Sequence, residues 1–296
     1  MKNKNPFKNM NFLLIICIIV FGEIFAYCNE LYYGAKFNNG KLFAPYTMRV
    51  KKFEQIYNEA KAKDFGKIYG KEYKGAPILL FGGSYVYGYG LKDDEKPAAK
   101  LANYLKKPVS NRAFQTWCVQ NMLWQLKRED FYKEVAKPDY IIYTGIREDL
   151  ENIYNPDVLN GLKYTSVKGE LKEVPYLLML PNNSYLYKKI SHEISYRKTL
   201  NRTENLKFFN QHVLESKKEI DKHWENVKMI VVWYDLPITE EFDELTQQGI
   251  LVVSLDDFMK EKIYSNNNLT NSKEDYHPNS QAWDLIIPEL AKRCGL

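Results

Sequence analysis

Three side chains in the sequence are of the types that together carry out nucleophilic catalysis. Ser84 lies in the stretch ILLFGGSYVYGYG, directly after an apolar run and two glycines. Asp275 and His277 lie two residues apart in EDYHPNSQA, near the C-terminus. A serine hydroxyl needs a base to take its proton, and that base needs a carboxylate to orient its other nitrogen. The three residues therefore suffice for attack on an ester carbonyl, provided that the fold brings them together.

Each of these residues also has an ordinary structural interpretation. Ser84 can simply cap a helix after a strand-to-helix turn. His277 follows acidic residues and precedes Pro278, which is typical of a surface loop. An extended segment, however, projects residues two apart to the same side, so Asp275 and His277 can meet. The combination of the three favours catalysis over either structural interpretation alone.

Other kinds of site lack the residues that they require. The four cysteines form no C-x-x-C pair and no zinc spacing, and no H-E-x-x-H motif is present. The glycine-rich stretch lacks the G-K-[ST] ending of a phosphate-binding loop, and GGSYV does not match the G-x-S-x-G elbow. The net charge of +5 is spread over 42 basic and 37 acidic residues without a dominant block. We therefore expect no metal, no other cofactor and no nucleic-acid partner.

Short apolar runs alternate with helical patterns through the body of the chain. The predicted strands are Ile78–Phe81, Pro108–Ser110, Tyr140–Thr144, Met229–Tyr234 and Ile250–Ser254, and the predicted helices are Pro97–Leu105, Val119–Val135, Glu204–Trp224, Glu240–Gln248 and Ser280–Cys294. This order predicts a parallel sheet of about five strands in a three-layer α/β/α domain. Ligands of such sheets bind beyond the carboxyl ends of the strands. Ser84 follows the first predicted strand and His277 follows the last, so both can reach one edge of the sheet.

The remaining segments define the predicted domain boundaries. Residues 76–296 form the predicted domain, residues 29–75 a polar lead-in and residues 151–203 an insertion beside the site. The run Phe12–Cys28 is apolar apart from Glu23, and basic residues precede it. It is predicted to be an uncleaved membrane anchor with a cytoplasmic N-terminus. Cleavage as a signal peptide is the alternative, and both interpretations put the domain outside the cytoplasm.

The chain is rich in tyrosine, with 23 residues of this type. Tyrosine scattered through core and surface is one interpretation, and platforms for stacking sugar rings are the other. Tyr85, Tyr87 and Tyr89 follow Ser84 closely. Together with a location outside the cytoplasm, they indicate O-acylated glycans as substrates.

Four stretches resemble the conserved blocks of the SGNH (GDSL-type) hydrolases. ILLFGGSYVYGYG is similar to block I, SNRAFQTWCVQ to block II, PDYIIYTGIREDL to block III and DYHPNSQA to block V. The resemblance spans residues 78–293, and its specific part is Ser84 together with Asp275-Tyr276-His277-Pro278. It implies a flavodoxin-like α/β/α sandwich and acyl-ester hydrolysis or transfer, with Ser84, His277 and Asp275 as catalytic residues. Glu274, three residues before His277, is the alternative acid.

The sequence departs from the family pattern where the oxyanion would bind. Gly83 stands in place of the aspartate of block I, and Thr116 aligns with the glycine of block II whose backbone N–H contacts the oxyanion. The asparagine of block III is replaced by Arg147 or Glu148, depending on where one residue is inserted. The resemblance therefore implies oxyanion or substrate contacts at Gly83, Asn111, Thr116 and Arg147. Losing one such donor costs about a hundred- to a thousandfold in rate.

These observations lead to one principal function and two alternatives. The principal expectation is an extracytoplasmic esterase of the carbohydrate O-acetylesterase kind, which uses a Ser-His-Asp triad on a small-molecule or glycan ester. An acyltransferase acting on envelope glycans is one alternative. A non-catalytic glycan-binding protein that has kept the fold is the other, because the block III asparagine is missing.

Overall fold

The computed structural model describes residues 20–22, 24, 65–115, 117–153, 164–167, 170–173, 202–272 and 275–296. Most of the predicted anchor Phe12–Cys28, of the lead-in and of the insertion lies outside these residues, so the boundaries assigned to them stay predictions. In the described part of the chain, no helix has both the length and the apolarity needed to cross a bilayer.

Strands and helices alternate along the described body. The strands are β1 (Ile68–Tyr69), β2 (Ile78–Gly82), β3 (Val109–Asn111), β4 (Tyr140–Gly145), β5 (Tyr164–Val167), β6 (Glu170–Glu173), β7 (Lys228–Trp233) and β8 (Leu251–Ser254). The α-helices are α1 (Ser84–Tyr87), α2 (Pro97–Leu105), α3 (Val119–Leu126), α4 (Phe131–Glu134), α5 (Arg147–Asn152), α6 (Arg202–His223), α7 (Asp243–Gln247), α8 (Asp256–Phe258) and α9 (Ser280–Cys294). Short 3₁₀ turns cover Asp93–Glu95, Glu240–Phe242 and Asn267–Leu269, and a π-helical turn covers Met259–Ile263.

Six of the strands form one sheet in the order β1-β3-β2-β4-β7-β8, and β5 pairs with β6 in a separate hairpin. The five strands from β3 to β8 run parallel, and β1 is antiparallel to β3 at the edge. Numbered along the chain, the parallel strands have the order 2-1-3-4-5, which is the flavodoxin-like arrangement. The predicted fold class is confirmed.

The two faces of the sheet carry separate apolar cores because side chains alternate along each strand. Strand β2 contributes to both. On one face Ile78 and Leu80 share a cluster with Leu101, Trp283 and Ile286, and on the other Leu79 and Phe81 share one with Val119, Met122, Phe209 and Val213. Helices α2 and α9 thus cover the first face, and α3 and α6 cover the second. Each fully buried aliphatic side chain contributes about 1.5–3 kcal/mol relative to exposure, which fixes β2 between the two layers.

One predicted helix differs from the structure in an informative way. The segment Val119–Val135 forms two helices, α3 and α4, separated by a turn. In that turn the Arg128 guanidinium donates from Nε to Asp130 Oδ1 over 2.9 Å. Neither glycine nor proline marks the break, so the sequence pattern could not reveal it. The short strand β1 and helix α5 were also absent from the predicted order.

Candidate active site

The turn that follows β2 presents the Ser84 side chain at the carboxyl edge of the sheet. Gly82 ends the strand with φ of 152°, and an added Cβ there would lie 2.5 Å from the carbonyl oxygen of Thr144 on the neighbouring β4. Gly83 precedes α1, and Ser84 is the first residue of that short helix. Gly88 then ends α1 in the left-handed region, with φ of 77°. Glycine at position 82 therefore lets the chain turn while it remains in contact with β4.

The side chains of Ser84, His277 and Asp275 form a hydrogen-bonded chain. The distance between Ser84 Oγ and His277 Nε2 is 2.7 Å. The other ring nitrogen, Nδ1, is bonded to Asp275 Oδ1. The same carboxylate oxygen accepts the backbone N–H of His277 over 3.0 Å. The fold therefore brings together three residues separated by up to 193 positions in the chain, in an order from nucleophile to base to orienting acid.

The loop that carries His277 is held by hydrogen bonds at both of its ends. The backbone N–H of Asn271 donates to the His277 carbonyl over 3.0 Å. The Asn271 side chain donates from Nδ2 to Asp275 Oδ2 over 3.3 Å and to the Tyr89 carbonyl over 3.2 Å. At the other end Asn279 caps α9, because its Oδ1 accepts the N–H of Ala282 over 3.1 Å. The loop is thus tied to the nucleophile turn as well as to its own helix.

Hydrogen bonds keep the Asp275 carboxyl in its charged form. Burial alone would raise its pKa, but the bonds from the His277 backbone N–H, the His277 ring and the Asn271 amide bring the pKa below its usual value. Each of these donors favours the carboxylate over the neutral acid. Asp275 is therefore an anion at neutral pH, as the stabilisation of an imidazolium requires.

Two tyrosines pack around His277. The Tyr85 ring lies 5.0 Å from the imidazole, centroid to centroid, and its hydroxyl donates to the Tyr276 carbonyl over 3.0 Å. Burial raises the pKa of Tyr85, which keeps the hydroxyl protonated as a donor. The Tyr89 ring lies 5.6 Å from the imidazole. Proximity to Ser84 in sequence is the only signal that pointed to these residues, and it did not assign them these contacts.

The oxyanion side of the site is described less completely. Thr116 lies outside the described residues, although the neighbouring Trp117 carbonyl would be 3.0 Å from a Cβ at Gly83. The loop after β3 therefore runs directly against the nucleophile turn. Arg147 is exposed and is engaged with Asp235: its backbone N–H donates to Asp235 Oδ1 over 2.7 Å, and its Nη2 lies 3.5 Å from the Asp235 carbonyl. In the described part of the chain no hydrogen bond joins Arg147 to Ser84, and its contact with an oxyanion stays a prediction.

Of two further predicted residues, Asn111 can be placed and Glu274 cannot. Asn111 is only 1% exposed, and its Oδ1 accepts the N–H of Ala113 over 3.1 Å, which holds the turn after β3. The predicted contact of Asn111 with the oxyanion or the substrate stays a prediction. Glu274 lies outside the described residues, whereas Asp275 is the acid bonded to the imidazole.

A buried acid that the sequence pattern did not single out lies close to Gly83. Asp149 of α5 is 6% exposed, and its Oδ2 accepts the N–H of Ile146 over 3.0 Å. Its Oδ1 would be 3.3 Å from a Cβ at Gly83. Burial raises the pKa of Asp149 to about 8, with a further contribution from Glu148 and Asp235. At neutral pH this carboxyl is therefore mostly protonated.

Comparison with solved structures finds similar folds in lipolytic proteins and esterases. No family model and no curated protein matches the sequence. The structure is similar to a lipolytic protein of the G-D-S-L family from Desulfitobacterium hafniense, with 12% identity, a TM-score of 0.46, and coverage of 74% of this chain and 99% of that chain. It is also similar to an acetyl xylan esterase from Butyrivibrio proteoclasticus, with 12% identity, a TM-score of 0.44, and coverage of 75% and 65%. It is similar as well to AlinE4, an SGNH-hydrolase family esterase, with 13% identity, a TM-score of 0.41, and coverage of 75% of this chain and 96% of that chain. At these identities the similarity is one of fold, and the chemistry has to be argued from the residues of this chain.

Proposed function

We propose that the protein is a serine-dependent acyl-ester hydrolase. The observation that carries the proposal is the hydrogen-bonded chain from Ser84 Oγ through the His277 ring to Asp275. A serine that only capped a helix would bond to its own backbone rather than to a histidine 193 positions away. A partly buried carboxylate with a lowered pKa behind the imidazole is the arrangement that general-base catalysis requires.

The reaction proceeds in two balanced steps. His277 Nε2 takes the proton of Ser84 as Oγ attacks the ester carbonyl, and the carbonyl π electrons move onto its oxygen. When the tetrahedral intermediate collapses, the bond to the alcohol breaks and His277 returns the proton to the leaving oxygen. Water, whose proton passes to the same imidazole, then attacks the acyl carbon. The bond from that carbon to Ser84 Oγ breaks, His277 returns the proton to Oγ, and the carboxylic acid is released. Asp275 keeps its charge throughout and stabilises the imidazolium.

The oxyanion is bound mainly by backbone donors in this proposal. The N–H of Ser84 belongs to the first turn of α1, where N–H groups have no partner within the helix. Thr116 supplies a second N–H from the loop after β3. The alignment-based donor at position 147 is the least supported, because Arg147 is engaged with Asp235. With one donor fewer than the family pattern, we expect turnover to be slower by about a hundredfold or more.

The substrate in this proposal is an O-acylated carbohydrate, and the reaction takes place outside the cytoplasm. The basic residues before Phe12–Cys28 support the location, since they favour a cytoplasmic N-terminus for an anchored chain. The tyrosines beside the imidazole support the substrate class. A sugar hydroxyl in place of water in the second step would make the same site an acyltransferase.

The test is covalent labelling of the full-length protein with a fluorophosphonate probe. We expect one adduct on Ser84, located by peptide mass, which is lost in Ser84→Ala and His277→Ala. Ser265→Ala is the matched control, because Ser265 is an exposed serine bonded only to the Glu261 carbonyl among the described residues. Folded protein that is not labelled, or is labelled equally in the His277 variant, would instead favour the non-catalytic glycan-binding alternative.

A further inference from the structure

We infer that Tyr89 is the residue that binds the alcohol part of the ester, by offering its ring to one face of a pyranose. This inference rests on the proposed function and assigns a binding role within the same site. It is argued from the position of Tyr89 relative to His277, from the exposure of its ring and from the polar groups around it.

The mechanism fixes where the alcohol must lie. His277 Nε2 returns its proton to the leaving oxygen, so that oxygen has to come within hydrogen-bond distance of the imidazole. The acyl carbon is at Ser84 and its oxygen points to the backbone donors. The alcohol therefore leaves beside His277, where an exposed ring next to the imidazole can contact it.

Tyr89 provides such a surface. Its ring centroid is 5.6 Å from that of His277, and the residue is 45% exposed. The other ring beside the imidazole belongs to Tyr85, which is half-buried and whose hydroxyl is bonded to the Tyr276 carbonyl. Of these two rings, Tyr89 is the one that is open to a substrate.

The Tyr89 backbone is held in place before a ligand arrives. Gly88 and Gly90, on either side of it, both have positive φ, 77° and 78°. The Tyr89 N–H donates to the Ser84 carbonyl over 3.2 Å, and the Tyr89 carbonyl accepts from Asn271 Nδ2 over 3.2 Å. A fixed backbone lowers the entropy cost of binding, which is what a recognition residue requires.

The groups next to Tyr89 favour a sugar over an apolar alcohol. The Asn271 side chain donates to the Tyr89 carbonyl and also to Asp275 Oδ2, so an amide and a carboxylate lie near Tyr89. Asn271 is an exposed residue, and its Oδ1 atom accepts no hydrogen bond within the part of the chain that the structure describes. An aromatic face beside an open amide oxygen suits a ring that has C–H groups on one face and hydroxyls at its edge.

The experiment compares three acetate esters in steady-state kinetics of the full-length protein. An O-acetylated methyl glucopyranoside carries the sugar ring, cyclohexyl acetate carries a ring of the same size without hydroxyls, and ethyl acetate carries no ring. We expect the native protein to have its highest kcat/KM for the glucopyranoside. Tyr89→Ala should raise KM for the glucopyranoside about three- to tenfold and leave KM for ethyl acetate within about twofold.

Three controls separate binding from chemistry and from folding. The rate of Ser84 labelling by a small fluorophosphonate should fall less in Tyr89→Ala than kcat/KM for the glucopyranoside does, since the variant keeps the side chains of Ser84, His277 and Asp275. Tyr89→Trp should keep KM near the native value because it keeps an aromatic face. Tyr104→Ala removes a tyrosine that is 53% exposed on α2, away from the site, and should have no effect.

The possible failures can be told apart. If Ser84 is labelled but Tyr89→Ala changes KM for the sugar ester and for ethyl acetate equally, or changes neither, the role of Tyr89 is wrong and the esterase proposal stands. If cyclohexyl acetate is the best substrate of the native protein, the alcohol is apolar and the sugar assignment is wrong. If no ester is hydrolysed and Ser84 is not labelled, both proposals fail.

Discussion

The two sides of the nucleophile differ in how they are built. On the base side, hydrogen bonds fix the loop around His277. The Asp275 carboxylate accepts from Asn271 and from the His277 backbone N–H, and the Tyr85 hydroxyl donates to the Tyr276 carbonyl. On the oxyanion side, Gly83 has no side chain, and the nearest acid, Asp149, is buried with a raised pKa. The base side thus keeps an anion charged, whereas the oxyanion side keeps an acid neutral.

This difference follows from the number of donors that each carboxyl receives. Asp275 accepts from a backbone N–H, an imidazole and an amide, which together outweigh its burial. Asp149 accepts the N–H of Ile146 and lies near the Tyr143 hydroxyl, which together do not outweigh burial and the nearby charges of Glu148 and Asp235.

The largest effect is expected from removing the Asp275 carboxylate on the base side. Asp275→Asn should lower kcat about a thousand- to ten-thousandfold, because the amide can hold the imidazole in the wrong tautomer and cannot stabilise its charged form. The rate of fluorophosphonate labelling should fall in parallel. Glu274→Gln should leave both rates near native. A reversed result, with the loss in the Glu274 variant, would assign the acid to Glu274.

A smaller but still large effect is expected where the nucleophile turn meets β4. Gly82→Ala should lower the free energy of unfolding by about 3 kcal/mol or more, since its Cβ would lie 2.5 Å from the Thr144 carbonyl oxygen. Gly249→Ala is the matched control. It also has positive φ, 73°, but its Cβ would meet nothing within 4 Å, so a loss of about 1 kcal/mol is expected. Urea denaturation measures both, and equal losses would mean that β4 does not constrain the turn.

On the oxyanion side, the pH dependence of the free energy of unfolding tests whether Asp149 is protonated. A carboxyl whose pKa rises on folding from 3.8 to about 8 keeps its proton in the folded protein after the unfolded chain has lost its own. The folded state therefore loses stability as the pH rises from about 4 to about 8. Asp149→Asn should remove this loss. Between pH 5 and 7, the slope of the free energy of unfolding against pH should be more negative for the native protein than for Asp149→Asn, by about 1.4 kcal/mol per pH unit.

The measurement is urea denaturation at several pH values, with Asp139→Asn as the control because Asp139 is an exposed acid just before β4. The control should keep the native slope. Identical slopes for the native protein and Asp149→Asn would mean that the buried carboxyl is charged, and the contrast between the two sides would disappear.

The smallest effect is expected from removing one neutral hydrogen bond on the base side. Tyr85→Phe keeps the ring beside His277 and loses the hydrogen bond to the Tyr276 carbonyl. We expect kcat to fall about three- to tenfold with KM unchanged, as for the loss of one neutral hydrogen bond. Tyr73→Phe removes a comparable bond, 3.1 Å long, to Asn103. This control should leave kcat unchanged, and a native kcat in Tyr85→Phe would show that the other bonds suffice to hold the loop.

Most of the parallel sheet was predictable because four of its five strands, β2, β3, β4 and β7, are buried on both faces. Apolar runs such as that of β2 stand out from the amphipathic helices between them, and their predicted bounds differ from the observed ones by one residue at most at either end. The edge strand β1 has two residues and no comparable pattern. The break between α3 and α4 depends on a side-chain bond in a polar turn, which periodicity does not record.

By itself the sequence determined the α/β/α layers, the candidates Ser84, Asp275 and His277, and the preference for Asp275 as the acid. These rest on local pattern: apolar runs, glycines in a turn, and two residues in one loop. Only the tertiary structure decided that Ser84 meets His277 at 2.7 Å, that Asn111 is buried and that Asp149 is a neutral acid beside Gly83. Those properties depend on burial and on partners from other strands, and neither is encoded in the spacing of residues along the chain.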